Sequence, residues 1–240
     1  IATLFVDPNT STQLQAERSR SYQLSAQYRP NAQHSLKLQF FRNDVNNLIE
    51  TQIVAQNQQG NSIFGYTNLR RIFTQGAEIQ YEYRFGEHWQ LQTAYQCLFA
   101  YDAEALHRVK AGEVFRRDPN TLQTSRVSPN EYGGLFQRSR HSANAKIHYQ
   151  SNLWSASLRA IYRSRFGFAD LNGNTLLDHK SEYAEGYLTL HLSAARYFCQ
   201  ERLQIQAGID NLLNYRNPAQ LPQIAGRTAF LSLRWQWQKN

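Results

Sequence analysis

Apolar and polar residues trade places at every second position along most of this chain, in runs too long for an ordinary globular sheet. Tyr22, Leu24, Ala26 and Tyr28 alternate with Gln23, Ser25 and Gln27, and Leu36, Leu38 and Phe40 alternate with Lys37 and Gln39. Ala77, Ile79, Tyr81, Tyr83 and Phe85 do the same, followed by Trp89, Leu91, Thr93, Tyr95, Cys97 and Phe99. The pattern resumes at Ala143–Tyr149, Trp154–Tyr162, Leu188–Ala194 and Leu203–Ile209, and closes on Ala229, Leu231, Leu233, Trp235 and Trp237. Period two means strands with one apolar and one polar face. About nine strands result, most of them about 9–13 residues long, whereas a globular strand averages about 5–6 and a tilted membrane-crossing strand needs about 9–11. Length favours the membrane.

The connections sharpen the reading. Short ones (Arg29 to Ser35, Gly86 to His88, Gln150 to Asn152, Cys199 to Arg202) take turns with long ones (Asn43 to Arg71, Asp102 to Gln137, Ser164 to Tyr183, Leu213 to Gly226). Short turns at one end and long loops at the other describe an outer-membrane barrel with the long loops outside. Tyr28, Phe85, Trp89, Tyr149, Trp154, Phe198 and Trp237 all fall beside short turns or the C-terminus. That is the placement of an interfacial aromatic girdle. A soluble sandwich core would scatter its aromatics along the strands.

Composition agrees. Aromatics make up 13% and charged residues 18%, which disfavours disorder. No stretch approaches the ~18 apolar residues of a spanning helix. The mean hydropathy of −0.63 suits strands with one wet face and polar loops. Met is absent, and Ile1 to Asp7 lacks the basic and apolar regions of a signal peptide. The chain is therefore expected to be a mature or internal portion of something longer. The net charge of +8 is scattered over loops and one strand face, with no stripe to suit nucleic acid.

Several segments carry a family resemblance. Tyr187 to Phe198, Gly208-Ile209-Asp210-Asn211-Leu212-Leu213-Asn214-Tyr215 and Gly226-Arg227-Thr228-Ala229-Phe230 resemble the last three barrel strands of the TonB-dependent outer-membrane receptors. Glu17 to Tyr22 and Gln75-Gly76-Ala77-Glu78-Ile79 resemble strand openings in that family, although Gln238-Lys239-Asn240 follow the aromatic on which its members usually stop. The resemblance implies an all-β fold, an antiparallel transmembrane β-barrel, of which this chain supplies about the last nine of 22 strands. Residues 1–20 would end an extracellular loop and 21–240 form barrel, with the N-terminal plug domain and the TonB-contacting segment outside the chain. An open nine-stranded sheet leaves two unpaired edges, so the remaining strands must come from the same precursor or from a partner fragment. The implied location is the outer membrane of a Gram-negative bacterium, against its lipid and lipopolysaccharide. The implied work is TonB-energised uptake of a small-molecule nutrient complex: ferric siderophore, haem or cobalamin. A structural or adhesive barrel and a passive porin are the rival readings.

Enzymatic constellations are thin. No nucleophile elbow, H-E-x-x-H or Gly-rich phosphate loop occurs, and the reading is of a protein without catalytic residues. Cys97 and Cys199 are expected to be free thiols, because three strand spacings of about 4.8 Å exceed bridging distance.

The connection Asp102 to Gln137 is the longest. Basic and aromatic residues interleave along it and into the next strand, and Arg116, Arg117, Tyr132, Phe136, Arg138, Arg140 and His141 are the candidate ligand contacts. Guanidinium and aromatic groups together suit an anionic conjugated ligand. The competing reading pairs these arginines with Asp102, Glu104, Glu113, Asp118 and Glu131, or with lipopolysaccharide phosphates. Lys37, Glu78, Glu82, Arg84, Lys146, His148, Arg159, Arg163 and His191 fall on the polar face, where they would hold a plug. No cofactor is required. The segment 170–178 offers calcium, since Asp170, Asn172, Asn174 and Asp178 place oxygens at offsets 0, 2, 4 and 8 around Gly173. An Asn-Gly β-turn with solvated acids accounts for the same residues.

Overall fold

The computed structural model describes residues 14–56, 62–117, 121–169, 176–199 and 202–237. Nine long strands form one antiparallel sheet: β1 (Arg18–Tyr28), β2 (His34–Gln56), β3 (Ser62–Phe85), β4 (Trp89–Asp102), β7 (His141–Gln150), β8 (Trp154–Arg163), β11 (Tyr187–Phe198), β12 (Leu203–Asp210) and β13 (Thr228–Trp235). Every strand pairs with its neighbour in this series, so the sheet is a simple meander. Smaller elements fill two of the long connections: α1 (Ala103–Ala111), β5 (Phe115–Arg117) and β6 (Thr124–Arg126) in one, β9 (Phe166–Gly167) and β10 (Tyr183–Ala184) in the other. The two thiols are free, Cys97 half-buried and Cys199 exposed.

Register sorts the side chains into two faces. Leu38, Ile79, Tyr95, Ala143, Tyr162 and Leu188 lie side by side on the apolar face. Ser35, Glu82, Gln92, Lys146, Arg159, His191, Asp210 and Thr228 make a row across the polar one. Large apolar side chains stay open on the first face, Leu24 at 72% and Leu231 at 78%. Hydrocarbon surroundings remove the penalty such exposure carries in water. The aromatics at the short-turn end gather in two groups. Trp89 lies 5.9 Å from Phe85 and 5.0 Å from Tyr149, and Arg196 sits over both Trp154 (4.9 Å) and Phe198 (5.0 Å).

One expected connection is different. Most of the segment from Asn43 to Arg71 is strand, because β2 and β3 run on as a paired ribbon to Gln56 and Ser62. Beyond the membrane neither face needs to be apolar. Backbone pairing persists there while the period-two signal fades. Arg18 also opens β1 inside the segment expected to be loop.

Candidate functional site

The connections at the long-loop end fold together into a cap. Asp102 starts it as N-cap of α1, accepting from the backbone N–H groups of Glu104 (2.8 Å) and Ala105 (2.9 Å). Glu104 in the first turn and Arg108 and Lys110 in the last complement the helix dipole. Gly112, in the left-handed region with φ of 74°, ends the helix and donates to the Val109 carbonyl at 3.0 Å. The chain then turns into the β5–β6 hairpin, closed by Val127 N–H to Val114 carbonyl at 3.0 Å. Val109, Val114, Val127, Tyr132 and Leu176 make the cap's core, with Tyr101, Ala105 and Leu106 against it.

Leu176 belongs to the next long connection, and the tie is reinforced by backbone. Gly133 N–H donates to Leu177 carbonyl at 2.8 Å, and Gln137 N–H to Gly167 carbonyl at 2.7 Å. Gly134 (φ 89°) passes so close to β4 that a Cβ there would meet the Ala100 carbonyl oxygen at 2.1 Å. Fully buried Glu182 accepts from the N–H groups of Asp178 and His179, both at 2.9 Å. A second apolar cluster joins this connection to the last one through Phe166, Ala184 and Leu221.

The candidate ligand residues divide on this frame. Arg116 is half-buried, with Nη1 on the Asp178 carbonyl (2.6 Å) and Nη2 on the Glu131 carboxylate (2.5 Å). The Ser128 N–H and hydroxyl, and then Arg116, hold Glu131 below the usual carboxylate range. Tyr132 is 3% exposed, and burial pushes its phenol up. These residues build the cap. Arg117, donating to the Leu122 carbonyl at 3.3 Å, and Arg138 are exposed, and Phe136 is half-buried. Arg140 and His141 turn outward to the apolar face. The Arg140 guanidinium lies 4.8 Å over Phe99 and donates to the Tyr101 hydroxyl at 2.9 Å, while His141 Nδ1 meets the Tyr95 hydroxyl at 2.7 Å. His141 pairs in register with Cys97, a position facing away from the polar lumen.

The seven candidate contacts leave out exposed Phe115 and Leu122 at 57% and 59%, which share the hairpin with Arg117 and Arg126. Their signal was the interleaving of ring and guanidinium along 115–126. Arg165, 5.2 Å from the Tyr183 ring, is left out as well, and Arg163, read from the sequence as a polar-face residue, donates to Ser139 Oγ at 3.2 Å.

Below the cap the polar face holds a recess of about 350 Å³ lined by Gln92, Lys146, Arg159, His191 and Asp210 among others. His191 Nδ1 meets Asp210 at 2.9 Å and its Nε2 meets Thr189 at 3.1 Å, which fixes the ring. Of the calcium candidates only Asp178 is described. It is buried, its N–H on Glu182 and its carbonyl on Arg116. Asp170, Asn172 and Asn174 lie outside the described residues. Among the described residues no group of three or more His, Cys, Asp or Glu could hold a metal ion.

The last long connection is pinned by the Asn211-Leu212-Leu213-Asn214 run. Buried Asn211 donates from Nδ2 to the carbonyls of Tyr215 and Ala225, both at 2.8 Å, and accepts from Tyr215 N–H at 2.9 Å. Arg227 returns from the far end, its N–H on Asn214 Oδ1 (2.9 Å) and its Nε on the Leu212 carbonyl (3.0 Å).

Comparison with known proteins gives the same architecture. A search of curated protein sequences returns no match. Among solved structures, the siderophore receptor PirA from Pseudomonas aeruginosa is similar with a TM-score of 0.56 at 18% identity, over 92% of this chain and 30% of that one. PirA from Acinetobacter baumannii is similar with a TM-score of 0.58 at 15% identity, over 91% and 32%. The copper transporter OprC is similar with a TM-score of 0.58 at 14% identity, over 88% and 28%. The chain thus spans about a third or less of the length of these proteins. At such identities the likeness is one of fold. The family model described as TonB dependent receptor-like, beta-barrel matches residues 2–212, and the chain belongs to that family.

Proposed function

We propose that this chain is part of the barrel of an outer-membrane receptor that binds a scarce anionic nutrient complex, of the ferric siderophore, haem or cobalamin class, and admits it when TonB acts on a plug domain. The observation that carries the reading is the folded cap. Two long connections share one core and one set of loop-to-loop hydrogen bonds, and they present Phe115, Arg117 and Arg126 on an exposed hairpin. Loops held this firmly by a rigid barrel suit ligand capture. Exposed guanidinium and ring groups suit an anionic, conjugated ligand by charge-assisted hydrogen bonds and stacking.

Beneath them the polar face carries Lys146 and Arg159. An anion released from the cap meets cations on the way in, and a plug meets polar partners. Binding and conformational gating account for this work, without covalent chemistry.

The test is growth of a strain lacking the receptor on defined iron and cobalamin sources. Complementation with the full receptor carrying Phe115→Ala, Arg117→Gln and Arg126→Gln should slow growth on one source only. Unchanged growth on every source at normal surface expression removes the hairpin from the binding site.

A further inference from the structure

The polar face of the sheet carries two cations side by side with nothing to neutralise them. Lys146 on β7 and Arg159 on β8 are partners in register. Neither has a hydrogen-bond or ion-pair partner among the described residues. Other charged groups of that face are engaged. Glu78 accepts from Gln96 at 2.6 Å, Glu82 accepts from Arg84 at 3.1 Å, and Arg163 donates to Ser139 Oγ at 3.2 Å. Like charges directly opposite one another on neighbouring strands destabilise a sheet. A pair that folding does not use, and that costs stability, calls for a ligand of opposite sign.

The surroundings suit an oxyanion. Lys146 and Arg159 line the recess of about 350 Å³, with Gln92 and Asn144 beside them. Ser157 and Ser193, two positions nearer the short turns, share a hydroxyl contact of 3.0 Å and line it from below. Asp210, the one acid in the lining, is turned to His191 at 2.9 Å. The Phe230 ring closes one side, lying over Gly208 so closely that a Cβ there would collide with it. A guanidinium fork takes two oxygens of a carboxylate or phosphate, and an ammonium takes a third. A second recess of about 430 Å³ shares Asn144 and Arg159 with the first and continues along Gln96, Ser142 and Arg163. Arg163 in turn lies 4.9 Å over the ring of Phe166, in the apolar cluster of the long connections. A polar path thus leads from the long-loop end down to the free pair.

We propose that Lys146 and Arg159 hold the carboxylate or phosphate group of the anionic nutrient complex inside the barrel, at a second station below the cap, with the Ser157 and Ser193 hydroxyls beneath it. The proposal rests on the uptake reading above and adds to it a site on the barrel wall. A plug carboxylate seated on the same pair would be a fixed lock instead, and the test separates the two.

In the full receptor carrying Cys97→Ser and Cys199→Ser, a single Asn144→Cys reports on the recess through its rate of labelling by a maleimide. Citrate and inorganic phosphate are the probes, against sodium chloride of equal ionic strength. Two charge-assisted contacts support a Kd of about 1 mM. About 10 mM of the bound oxyanion should then slow labelling about tenfold. Protection by one probe alone supports the site and fixes the oxyanion. Adding Lys146→Gln and Arg159→Gln should abolish protection and leave heat-modifiable gel mobility as in the parent, because removing two like charges costs the sheet nothing. Adding Phe115→Ala, Arg117→Gln and Arg126→Gln on the cap instead should leave protection unchanged. The proposal is overturned if neither oxyanion protects, or if protection survives the double variant. A thiol that does not react at all in the full receptor also overturns it, and gives the pair to the plug. Growth of the receptor-deleted strain separates this from the uptake reading. Source-dependent growth without protection defeats the luminal site alone, and growth unchanged on every source defeats the reading beneath it.

Discussion

Arg116 donates from Nη1 to the carbonyl oxygen of Asp178 at 2.6 Å, and so ties the first long connection of the cap to the second across 62 residues of sequence. The same guanidinium holds Glu131. A side chain with both ends of its fork occupied inside the cap is a strut. Arg116→Ala should therefore loosen the cap and leave the sheet paired. A hydrogen bond to a charged group is worth about 1.5–3 kcal/mol, and partial exposure of both Arg116 and Glu131 puts the effect near the lower figure. Amide exchange at Val127 and Gly133 should quicken by about tenfold, with strand amides unmoved.

The cap should also have a pH window. Glu131 is held below its ordinary value, so its contribution is complete above the unfolded carboxylate value of about 4.3 and fades as pH falls through the lower folded one. Tyr132 and Tyr183 are raised by burial as neutral phenols. Their contribution is complete below about 10 and fades as pH rises through the higher folded value. Protease release of α1 should be slowest between those limits. Equal cleavage rates at pH 4, 7 and 11, after correction for the protease, would contradict the assignment.

Asn211 makes three side-chain hydrogen bonds from a left-handed backbone position of φ 50°. Asn211→Ala loses the bonds and keeps the strained conformation, a cost of about 2–4 kcal/mol to this loop. Asn211→Gly loses the bonds alone and should cost about 1 kcal/mol less. Tryptic cleavage at Arg216 in the intact receptor should be fastest for the alanine variant, intermediate for glycine and slowest for the parent.

This loop shows why the strands were legible in the sequence and the cap was not. Strand faces are written in single residues, because a membrane needs an apolar side chain at each alternate position from Leu36 to Phe40 or from Trp89 to Phe99. The Asn-Leu-Leu and Gly-Arg segments of the last two strands could be quoted from the sequence. Their connection through Arg227 and the Leu212 carbonyl needs two segments 15 residues apart to meet. The same holds for Tyr132. Its sequence neighbours suggest an exposed ligand contact, whereas it is buried in one cluster with Val109, Val127 and Leu176. The ribbon of β2 and β3 escaped for a simpler reason: outside hydrocarbon, backbone pairing continues with no alternation to announce it.

The calcium reading of Asp170, Asn172, Asn174 and Asp178 remains testable on its own terms. Protease cleavage between Phe166 and Asp178 should slow in millimolar Ca²⁺ relative to EDTA, in keeping with the weak affinities of about 10⁻⁴–10⁻³ M typical of extracellular sites. Asp170→Ala should abolish the difference. Identical cleavage under both conditions discards the site.

Deleting Glu104 to Pro129 removes α1, β5 and β6 together, and with them Val109, Val114 and Val127 from the five-residue core. The nine-stranded ladder does not pass through that segment, so heat-modifiable mobility should be retained. Tyr132 and Leu176 then lose their packing. Burial of an apolar side chain contributes about 1.5–3 kcal/mol, so the second connection should become more mobile as well. Two readouts follow: nutrient uptake should fall, and cleavage within residues 164–186 should rise although that segment is intact. A deletion that lowers uptake but leaves 164–186 as resistant as in the parent would mean that the two connections act separately, against the shared core on which the ligand-binding proposal stands.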